Sequence, residues 1–294
     1  MATRSKNGSR ISKAPPLVKL VYFASKLPLI NVCLLGYMGT GKTNLGRFLC
    51  VMLKKLGFMC YYARVQDPSD VEEMLWYAAR TRKSDRLMIF FDDASGTLSG
   101  KSSKVRAVEA AITQARHIVG TGDSGRLVLV FTFHHVGLIN PVFRISPMYA
   151  LTSISSTWEV KLLSREGYFP RDKLEEYLAV YTGWVYREKW LVKMANKLNV
   201  DIEKSKPVLF RVWDSTEIQF VPIVRDDPWD HTLNEPPRER ETERRPPISF
   251  QGFLELARNK LGIRARNEKL YKLYSYIFYD LLGYKKPGQK EEEN

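Results

Sequence analysis

Residues 36–43 have the types and the spacing of a phosphate-binding loop. They match the Walker A pattern G-x-x-x-x-G-K-[ST], which opens with Gly36 and closes with Lys42 and Thr43. In such a loop, backbone N–H groups and a helix N-terminus surround a phosphate chain while the lysine neutralises its charge. The residues expected to contact a nucleoside triphosphate are Gly36, Gly39, Thr40, Gly41, Lys42, Thr43 and Asn44.

The elements around the loop are those that this chemistry needs. The apolar run 30–35 predicts a buried strand before it. Apolar residues at helical spacing over 43–56 predict a helix after it, which Gly57 ends. Lys42 would then reach the β- and γ-phosphate oxygens, and the Thr43 hydroxyl would ligate Mg²⁺. The loop therefore predicts binding of ATP together with Mg²⁺.

A pair of carboxylates, Asp92 and Asp93, follows the apolar run 87–91. The run looks like a Walker B strand, in which Asp92 would hold Mg²⁺ directly or through water. The alternative is a turn at the end of the strand in which the two carboxylates cap a helix.

The two motifs together resemble the P-loop NTPases of the additional-strand (ASCE) branch. This branch includes AAA+, RecA-like and FtsK/HerA-like ATPases that act on DNA, among them those of mobile elements and viruses. In it a glutamate usually orients the attacking water, and Asp93 stands in that place with a shorter side chain. A polar residue after the next strand contacts the γ-phosphate, which implies Thr132 or His134, whereas His135 fits a surface position equally well. The resemblance thus implies ATP hydrolysis with Lys42, Asp93, Thr132 and His134 as catalytic residues, and it covers roughly the first 155 residues.

The same branch commonly assembles as rings and takes an arginine from a neighbouring subunit. The resemblance therefore implies a homo-oligomer. Candidates for that arginine are Arg116, Arg144 and Arg165, and the sequence does not choose among them.

Residues 34–47 are also locally similar to the phosphate loop of shikimate kinase and related small-molecule kinases. That resemblance implies a pair of substrate-binding aspartates after the second strand, and only Asp67 and Asp70 lie nearby. An arginine-bearing lid of the right length is also missing from the sequence, so the kinase ranks second. A nucleotide-gated assembly factor that acts on protein is a third function class compatible with the loop.

The order of apolar strands and helices predicts the fold class. Their alternation indicates a parallel sheet covered on both faces. We expect an α/β protein with a three-layer α/β/α P-loop NTPase core and a mainly parallel sheet, a helical and hairpin extension, and a small helical C-terminal element. Further predicted elements are strand 58–65, a helix capped by Asp67 and ending near 82, helix 103–119, strand 126–133, strand 148–155, helical stretch 170–199 with a joint near Gly183, and hairpin 207–224.

Composition divides the chain into five segments. These are a disordered basic arm (1–16), the ATPase domain (17–224, core 28–155), a charged Pro-rich linker (225–247), a basic helical element (248–284) and a disordered tail (285–294). In the segment 248–284, lysines and arginines alternate with tyrosines. This fits either a helix-turn-helix-like face on DNA or two helices packed on the core with solvated lysines.

Net charge and cysteine use suggest a partner and a compartment. The formal net charge of +14 favours a polyanionic partner, nucleic acid before acidic lipid, over a merely soluble basic protein. No run approaches ~18 consecutive apolar residues, so membrane insertion is not expected. The N-terminus lacks the apolar core of a signal peptide. Cys33, Cys50 and Cys60 have no C-x-x-C spacing and fit a core in a reducing cytoplasm, the host cytoplasm if the chain is viral.

Overall fold

The computed structural model describes residues 14–97, 103–122, 124–134, 148–233 and 267–275. The chain divides into two units, Met1–Glu235 and Pro236–Asn294. The elements of the first unit, in chain order, are α1 (Pro16–Lys26), β1 (Leu29–Leu35), α2 (Lys42–Lys54), β2 (Met59–Arg64), α3 (Ser69–Thr81), β3 (Arg86–Asp92), α4 (Ala94–Thr97), α5 (Ser103–Thr113), α6 (Ala115–Val119), β4 (Arg126–Phe133), β5 (Met148–Leu151), α7 (Thr157–Arg165), α8 (Arg171–Val185), α9 (Lys189–Lys197), β6 (Ser205–Val212), β7 (Ser215–Pro222) and β8 (His231–Leu233).

The strands form one eight-stranded sheet in the order β7-β6-β5-β1-β4-β3-β2-β8. β1 pairs in parallel with β5 and β4, and parallel pairing continues through β3 and β2 to β8. β6 and β7 form an antiparallel hairpin, and β6 also runs antiparallel to β5. An additional strand, β4, separates the strand before the loop from the strand that ends in Asp92. The predicted mainly parallel α/β/α fold is confirmed.

Helices cover both faces of the sheet, and β1 shows why its residues are apolar throughout. Val32 and Leu34 belong to a core cluster with residues of α1 and α2. Cys33 and Leu35 belong to a second cluster with residues of α3, α5 and α6. Because successive side chains of a strand point to opposite faces, a strand buried on both sides needs an unbroken apolar run.

A close contact between α2 and β3 fixes the helix that follows the loop. Gly46 lies within α2, and a Cβ at this position would lie 2.1 Å from the ring of Phe90. A glycine therefore allows the backbone of α2 to approach β3 more closely than any other residue would. This approach sets the start of α2 beside the end of β3, where Asp92 lies.

The structure places two breaks within the predicted helical stretches. The predicted helix 103–119 divides at Gln114 into α5 and α6. The stretch 170–199 consists of two helices, as predicted, and the first ends at Val185, two residues beyond Gly183. Gly183 is inside α8, where a side chain would lie 2.7 Å from the Trp190 ring, so this glycine admits a neighbouring ring instead of ending the helix. Helices α1 and α7 were not predicted.

The hairpin prediction is confirmed, with its turn at Trp213 and Asp214 rather than over 214–217. Strand β5 ends at Leu151, earlier than the predicted 155. Helix α3 begins at Ser69, and the Asp67 carboxylate accepts the Ser69 N–H at 3.0 Å, which agrees with the predicted capping role.

The start of the predicted linker 225–247 belongs to the first unit instead. Trp229 stacks on Phe90 with the ring centroids 5.2 Å apart. Asp230 Oδ2 accepts the Cys60 N–H at 2.8 Å, and β8 pairs with β2. The prediction rested on charge and proline content, and one partly buried aromatic ring and one paired carboxylate outweigh that composition. Residues 234–247 lie outside the described residues.

The described part of the second unit is one helix, α10 (Asn267–Ser275), within the predicted basic element 248–284. The remainder of that element lies outside the described residues, as do 1–13 of the predicted arm and the whole tail 285–294. Among the described helices, none combines the length and the apolar character that a membrane crossing requires.

Candidate active site

Lys42 lies at the centre of the phosphate loop and is folded back on the loop itself. Its Nζ donates to the carbonyl oxygens of Gly36 and Tyr37, at 2.7 Å each, and lies 2.8 Å from His134 Nδ1. Burial lowers the pKa of Lys42 to about 8, although the charges of Asp92 and Asp93 act in the opposite direction. All three ammonium hydrogens have partners within the protein, and a bound phosphate would have to replace some of them.

The loop leads directly into the N-terminus of α2. Gly41, the residue before the helix, has φ 82°, which is the left-handed conformation that favours glycine. The first N–H groups of α2 therefore face the loop. A helix N-terminus carries a partial positive charge, so the loop is suited to an anion.

The end of β5 holds the other side of the loop. Ser153 Oγ accepts the Tyr37 N–H at 3.0 Å, and Thr152 Oγ1 lies 3.0 Å from Thr40 Oγ1. Asn44 Oδ1 accepts a hydrogen bond from Arg47 at 3.1 Å. The side chains of Thr40 and Asn44, both predicted to contact the nucleotide, thus have partners inside the protein. The Thr40 N–H also has a partner, since it donates to the Tyr37 carbonyl oxygen at 3.3 Å.

Asp92 is joined to the loop through the Thr43 hydroxyl. Thr43 Oγ1 donates to Asp92 Oδ2 at 2.8 Å, and Thr132 Oγ1 donates to Asp92 Oδ1 at 2.8 Å. The Tyr62 hydroxyl also donates to Oδ2, at 3.3 Å. Burial, and then the charge of Asp92, raise the pKa of Tyr62, which keeps this hydroxyl a donor. Three hydroxyl groups from three elements therefore converge on one carboxylate.

His134 connects Lys42 with Asp93. Its Nε2 lies 2.9 Å from Asp93 Oδ1, on the opposite side of the ring from Lys42. A protonated lysine can only donate, so Nδ1 is the acceptor and Nε2 carries the proton that is donated to Asp93. The Arg64 guanidinium lies 3.5 Å from the other oxygen of Asp93.

Thr132 and His134, the two predicted contacts of the γ-phosphate, have different surroundings. Thr132 is fully buried, and its hydroxyl donates to Asp92 while accepting the Asp93 N–H at 2.8 Å. Its position is behind the two carboxylates rather than at the loop. His134 is the one of the two that reaches Lys42. His135 lies outside the described residues.

Asp93 has an unusual backbone conformation. Its φ is 62°, which is uncommon for a residue other than glycine but is tolerated by aspartate. Its N–H is held by Thr132 and its carboxylate by His134 and Arg64. The carboxylates of Asp92 and Asp93 are thus directed at side chains of the loop and of other strands, rather than only at the following turn.

The two arginine candidates that the structure describes, Arg116 and Arg165, lie away from the loop. Arg116 donates to the Gly122 carbonyl at 2.8 Å, in the turn that leads into the N-terminal end of β4 at the opposite edge of the sheet. Arg165 is mostly exposed and pairs with Glu166 at 3.3 Å. Arg144 lies outside the described residues. Within the part of the chain that the structure describes, Arg64 is the arginine that reaches Asp93.

The two aspartates near the position that the kinase alternative requires, Asp67 and Asp70, accept hydrogen bonds from backbone N–H groups at the start of α3. Asp70 is buried, and its Oδ2 accepts the N–H groups of Gln66 and Asp67 at 2.6 and 2.8 Å. Asp67 caps α3, as described above. Both carboxylates therefore stabilise the start of a helix, and neither is free to bind a small hydroxylated substrate.

Arg64, Tyr62 and Lys206 contact the site but were not predicted. Arg64 and Tyr62 belong to β2, which two strands separate from the loop strand β1, and their residue types gave no local signal. Lys206 begins the hairpin, far away in sequence, and its Nζ donates to the Thr40 carbonyl oxygen. Lys206 could be placed at the site only from the sheet order, in which β6 lies beside β5.

Residues 30–136 match the profile of the family described as Novel STAND NTPase 3 (nSTAND3), a range of less than half of the chain. The range contains the loop, both aspartates, Thr132 and His134. No curated protein matches the sequence. Together with the strand order and the loop geometry, the family match assigns a P-loop NTPase core to this chain.

Similar solved structures include NTPases of different kinds. The genome-packaging NTPase B204 of Sulfolobus turreted icosahedral virus 2, in complex with ATP-gammaS, is 15% identical with a TM-score of 0.39, and the alignment covers 67% of this chain and all of that one. The pCW3 conjugation coupling protein TcpA with ATPgS is 12% identical with a TM-score of 0.40, covering 70% of this chain and 63% of that one. The FIGL-1 AAA domain with ADP is 13% identical with a TM-score of 0.34, and the alignment covers 94% of this chain and 87% of that one.

Proposed function

We propose that the chain binds ATP with Mg²⁺ in the loop 36–43 and hydrolyses it to ADP and phosphate. The observation that carries this proposal is a double connection between the loop and the strand ends. Thr43 is bonded to Asp92, and Lys42 is linked through His134 to Asp93. These contacts support an anion site, a metal site and a base close to one another, as attack of water on a phosphate requires.

The Thr43 hydroxyl and the Asp92 carboxylate fit a Mg²⁺ site. Their oxygens are 2.8 Å apart, and Mg²⁺ prefers oxygen ligands, of which a protein commonly supplies only one or two. The remaining ligands in such sites are water and phosphate oxygens. Bound there, Mg²⁺ would neutralise charge on the β- and γ-phosphates.

Asp93 is the proposed base. As the oxygen of a water molecule bonds to the γ-phosphorus, the carboxylate accepts a proton from that water. The bond between the γ-phosphorus and the bridging oxygen breaks, and ADP leaves with the electron pair. His134 and Arg64 hold the two carboxylate oxygens and so fix the orientation of the carboxylate.

His134 is proposed to report the presence of a triphosphate to Asp93. In the structure, Lys42 donates to His134 and to two loop carbonyls. A phosphate that takes the lysine would remove the donor from Nδ1, leaving His134 held by Asp93 alone. Nδ1 is then able to accept a hydrogen bond elsewhere, while Nε2 continues to orient the Asp93 carboxylate.

Substitution of Lys42 tests the nucleotide site. Lys42→Ala should abolish ATP turnover, because the substitution removes the ammonium at the centre of the loop. The readouts are phosphate release and ATP binding, and Lys55→Ala, an exposed lysine just after α2, is the matched control. Turnover that survives in Lys42→Ala would contradict the assignment.

We further propose that ATP turnover is coupled to DNA. The net charge of +14 supports a polyanionic partner. On α9, Lys189, Lys193 and Lys197 recur every four residues and are all exposed, so they share one face of the helix. Among the described residues, no carboxylate forms an ion pair with any of the three. Such a row of unpaired cations suits a phosphate backbone.

The coupled partner is identified by which molecule stimulates ATP turnover. We expect phosphate release to rise on addition of single- or double-stranded DNA. A phosphorylated small product would establish the kinase instead, and stimulation by a protein partner alone would establish an assembly factor.

The proposed homo-oligomer should appear as a mass increase in the presence of ATP and Mg²⁺. The proposed cytoplasmic location is supported by three buried free cysteines, which suit a reducing compartment.

A further inference from the structure

Lys206 is a second lysine at the phosphate loop, and hydrolysis as described above does not use it. It is the second residue of β6. Because β6 runs antiparallel to β5, the first residues of β6 lie at the edge of the sheet where β5 and β1 end and the loop begins. The hairpin thereby brings a cation to the loop from the far side of β5.

The Lys206 ammonium lies against the turn between Thr40 and Gly41. Its Nζ donates to the Thr40 carbonyl oxygen, and a Cβ at Gly41 would lie 3.7 Å from the same nitrogen. On α8, the ring centroids of Tyr181 and Trp184 lie 5.5 and 5.6 Å from this Nζ. Two rings and a neutral carbonyl therefore hold the amine.

No acid balances the charge of Lys206 in the part of the chain that the structure describes, where its Nζ has no carboxylate within 4.0 Å. Burial, and then the nearby charge of Lys42, lower the pKa of Lys206 to about 8. Two partly buried cations that face one loop are unfavourable until an anion lies between them. A bound polyphosphate would supply that anion.

The sheet order indicates which phosphates Lys206 would face. On one side of β1, strands β4 and β3 carry His134, Asp93 and Asp92, and on the other side β5 and β6 carry Lys206. The γ-phosphate belongs on the side of the metal ligands and the base. Lys206 lies on the opposite flank, where Asn44 Nδ2 is also near the Gly41 position. If the γ-phosphate lies on the side of β4 and β3, the α- and β-phosphates lie nearer to Lys206.

We propose that Lys206 is a nucleotide-binding residue, supplied by the same chain, that contacts the α- and β-phosphates beside Lys42. This inference rests on the proposed nucleotide site. Because ATP and ADP both carry these two phosphates, Lys206 stabilises the binding of both. It does not act on the bond that breaks.

The test compares binding of ADP and of ATP-γ-S to the full chain by calorimetry, with phosphate release as a second readout. Lys206→Met removes the charge but keeps an aliphatic stem against Tyr181 and Trp184. We expect Kd to rise about tenfold to a hundredfold for both nucleotides, as for loss of one or two charge-assisted hydrogen bonds. At saturating ATP, kcat should stay within about threefold. Lys204→Ala, at an exposed lysine just before β6, is the matched control and should bind like the wild type.

A charge-retaining variant separates the role of the charge from packing. Lys206→Arg should keep most of the affinity, and its Kd for ADP should rise less than that of the wild type between pH 7 and 9, because arginine stays protonated. The titratable groups that face Lys206 are Lys42, common to both proteins, and Tyr181, whose pKa burial raises. Melting curves identify any variant that fails to fold.

Two results would overturn the role of Lys206. These are an unchanged Kd in the folded Lys206→Met protein, whether or not kcat falls, and a loss of affinity confined to ATP-γ-S. In each case the wild type still binds nucleotide, so the proposed function stands. A wild type that binds neither nucleotide removes both proposals together.

Discussion

At the scale of single residues, the site is a line of hydrogen bonds across three elements. Lys42 from the start of α2, His134 after β4 and Asp93 after β3 are joined at 2.8 and 2.9 Å. A second line runs from Thr43 through Asp92 to Thr132. Each carboxylate thus has its own connection to the loop, which suits one of them to the metal and the other to the water.

Removal of the histidine should separate binding from hydrolysis. His134→Ala leaves the loop amides and Lys42 intact, so Kd for ATP should change less than threefold, whereas kcat should fall about a hundredfold because Asp93 loses its orientation. Phosphate release and calorimetry measure the two effects. His117→Ala, at an exposed histidine on α6, is the control. An equal kcat in the His134→Ala variant would exclude His134 from the site.

At the scale of elements, the contact between α2 and β3 positions the metal ligands. Helix propensity alone predicts that Gly46→Ala stabilises the protein by about 1 kcal/mol. The contact with Phe90 predicts the opposite, because the added Cβ would lie 2.1 Å from the ring. We expect a net loss of about 1–3 kcal/mol in the free energy of unfolding.

Denaturant unfolding of a double-mutant cycle measures that contact. A smaller ring replacement, Phe90→Leu, opens the space, so the double variant Gly46→Ala/Phe90→Leu should be more stable than the sum of the single effects predicts. Strict additivity, or a gain in stability from Gly46→Ala alone, would show that α2 is not held at this distance.

Elements differ in how well the sequence predicts them. The loop and the strand ending in Asp92 are local patterns, and both were predicted correctly as structure. His134 could not be distinguished from Thr132, because the two side chains share one face of the strand and the choice depends on where β4 ends, which is at Phe133. Arg64 and Lys206 reach the site only through strand order, which no local pattern encodes. Trp229 shows the converse, since a single ring in a charged and proline-containing stretch attaches that stretch to the core.

At the scale of the whole molecule, charge is the dominant feature beyond the site. A protein that neutralises several phosphates releases counterions, so its affinity for DNA should fall steeply as salt rises. The row Lys189, Lys193 and Lys197 on α9 is one proposed contributor. The basic element 248–284, of which α10 is the described part, is another.

Substitution of the row on α9 tests its contribution. The triple variant Lys189→Ala/Lys193→Ala/Lys197→Ala should bind DNA more weakly and reduce the slope of log K against log salt by about two to three. Fluorescence anisotropy over a salt series gives this slope. Lys161→Ala, at an exposed lysine on α7, is the control. An unchanged slope in the triple variant would assign DNA contact to another part of the chain.

Phosphate release by the wild type and by Asp93→Asn, at saturating ATP and Mg²⁺, tests directly whether the chain hydrolyses ATP with Asp93 as the base. The substitution keeps the size of the side chain but removes the base. We expect the variant to bind ATP with a Kd near that of the wild type and to release phosphate about a hundredfold to ten-thousandfold more slowly. Equal rates in the two proteins would contradict the role of Asp93 as the base. No phosphate release by the wild type at saturating ATP and Mg²⁺ would contradict ATP hydrolysis by this chain.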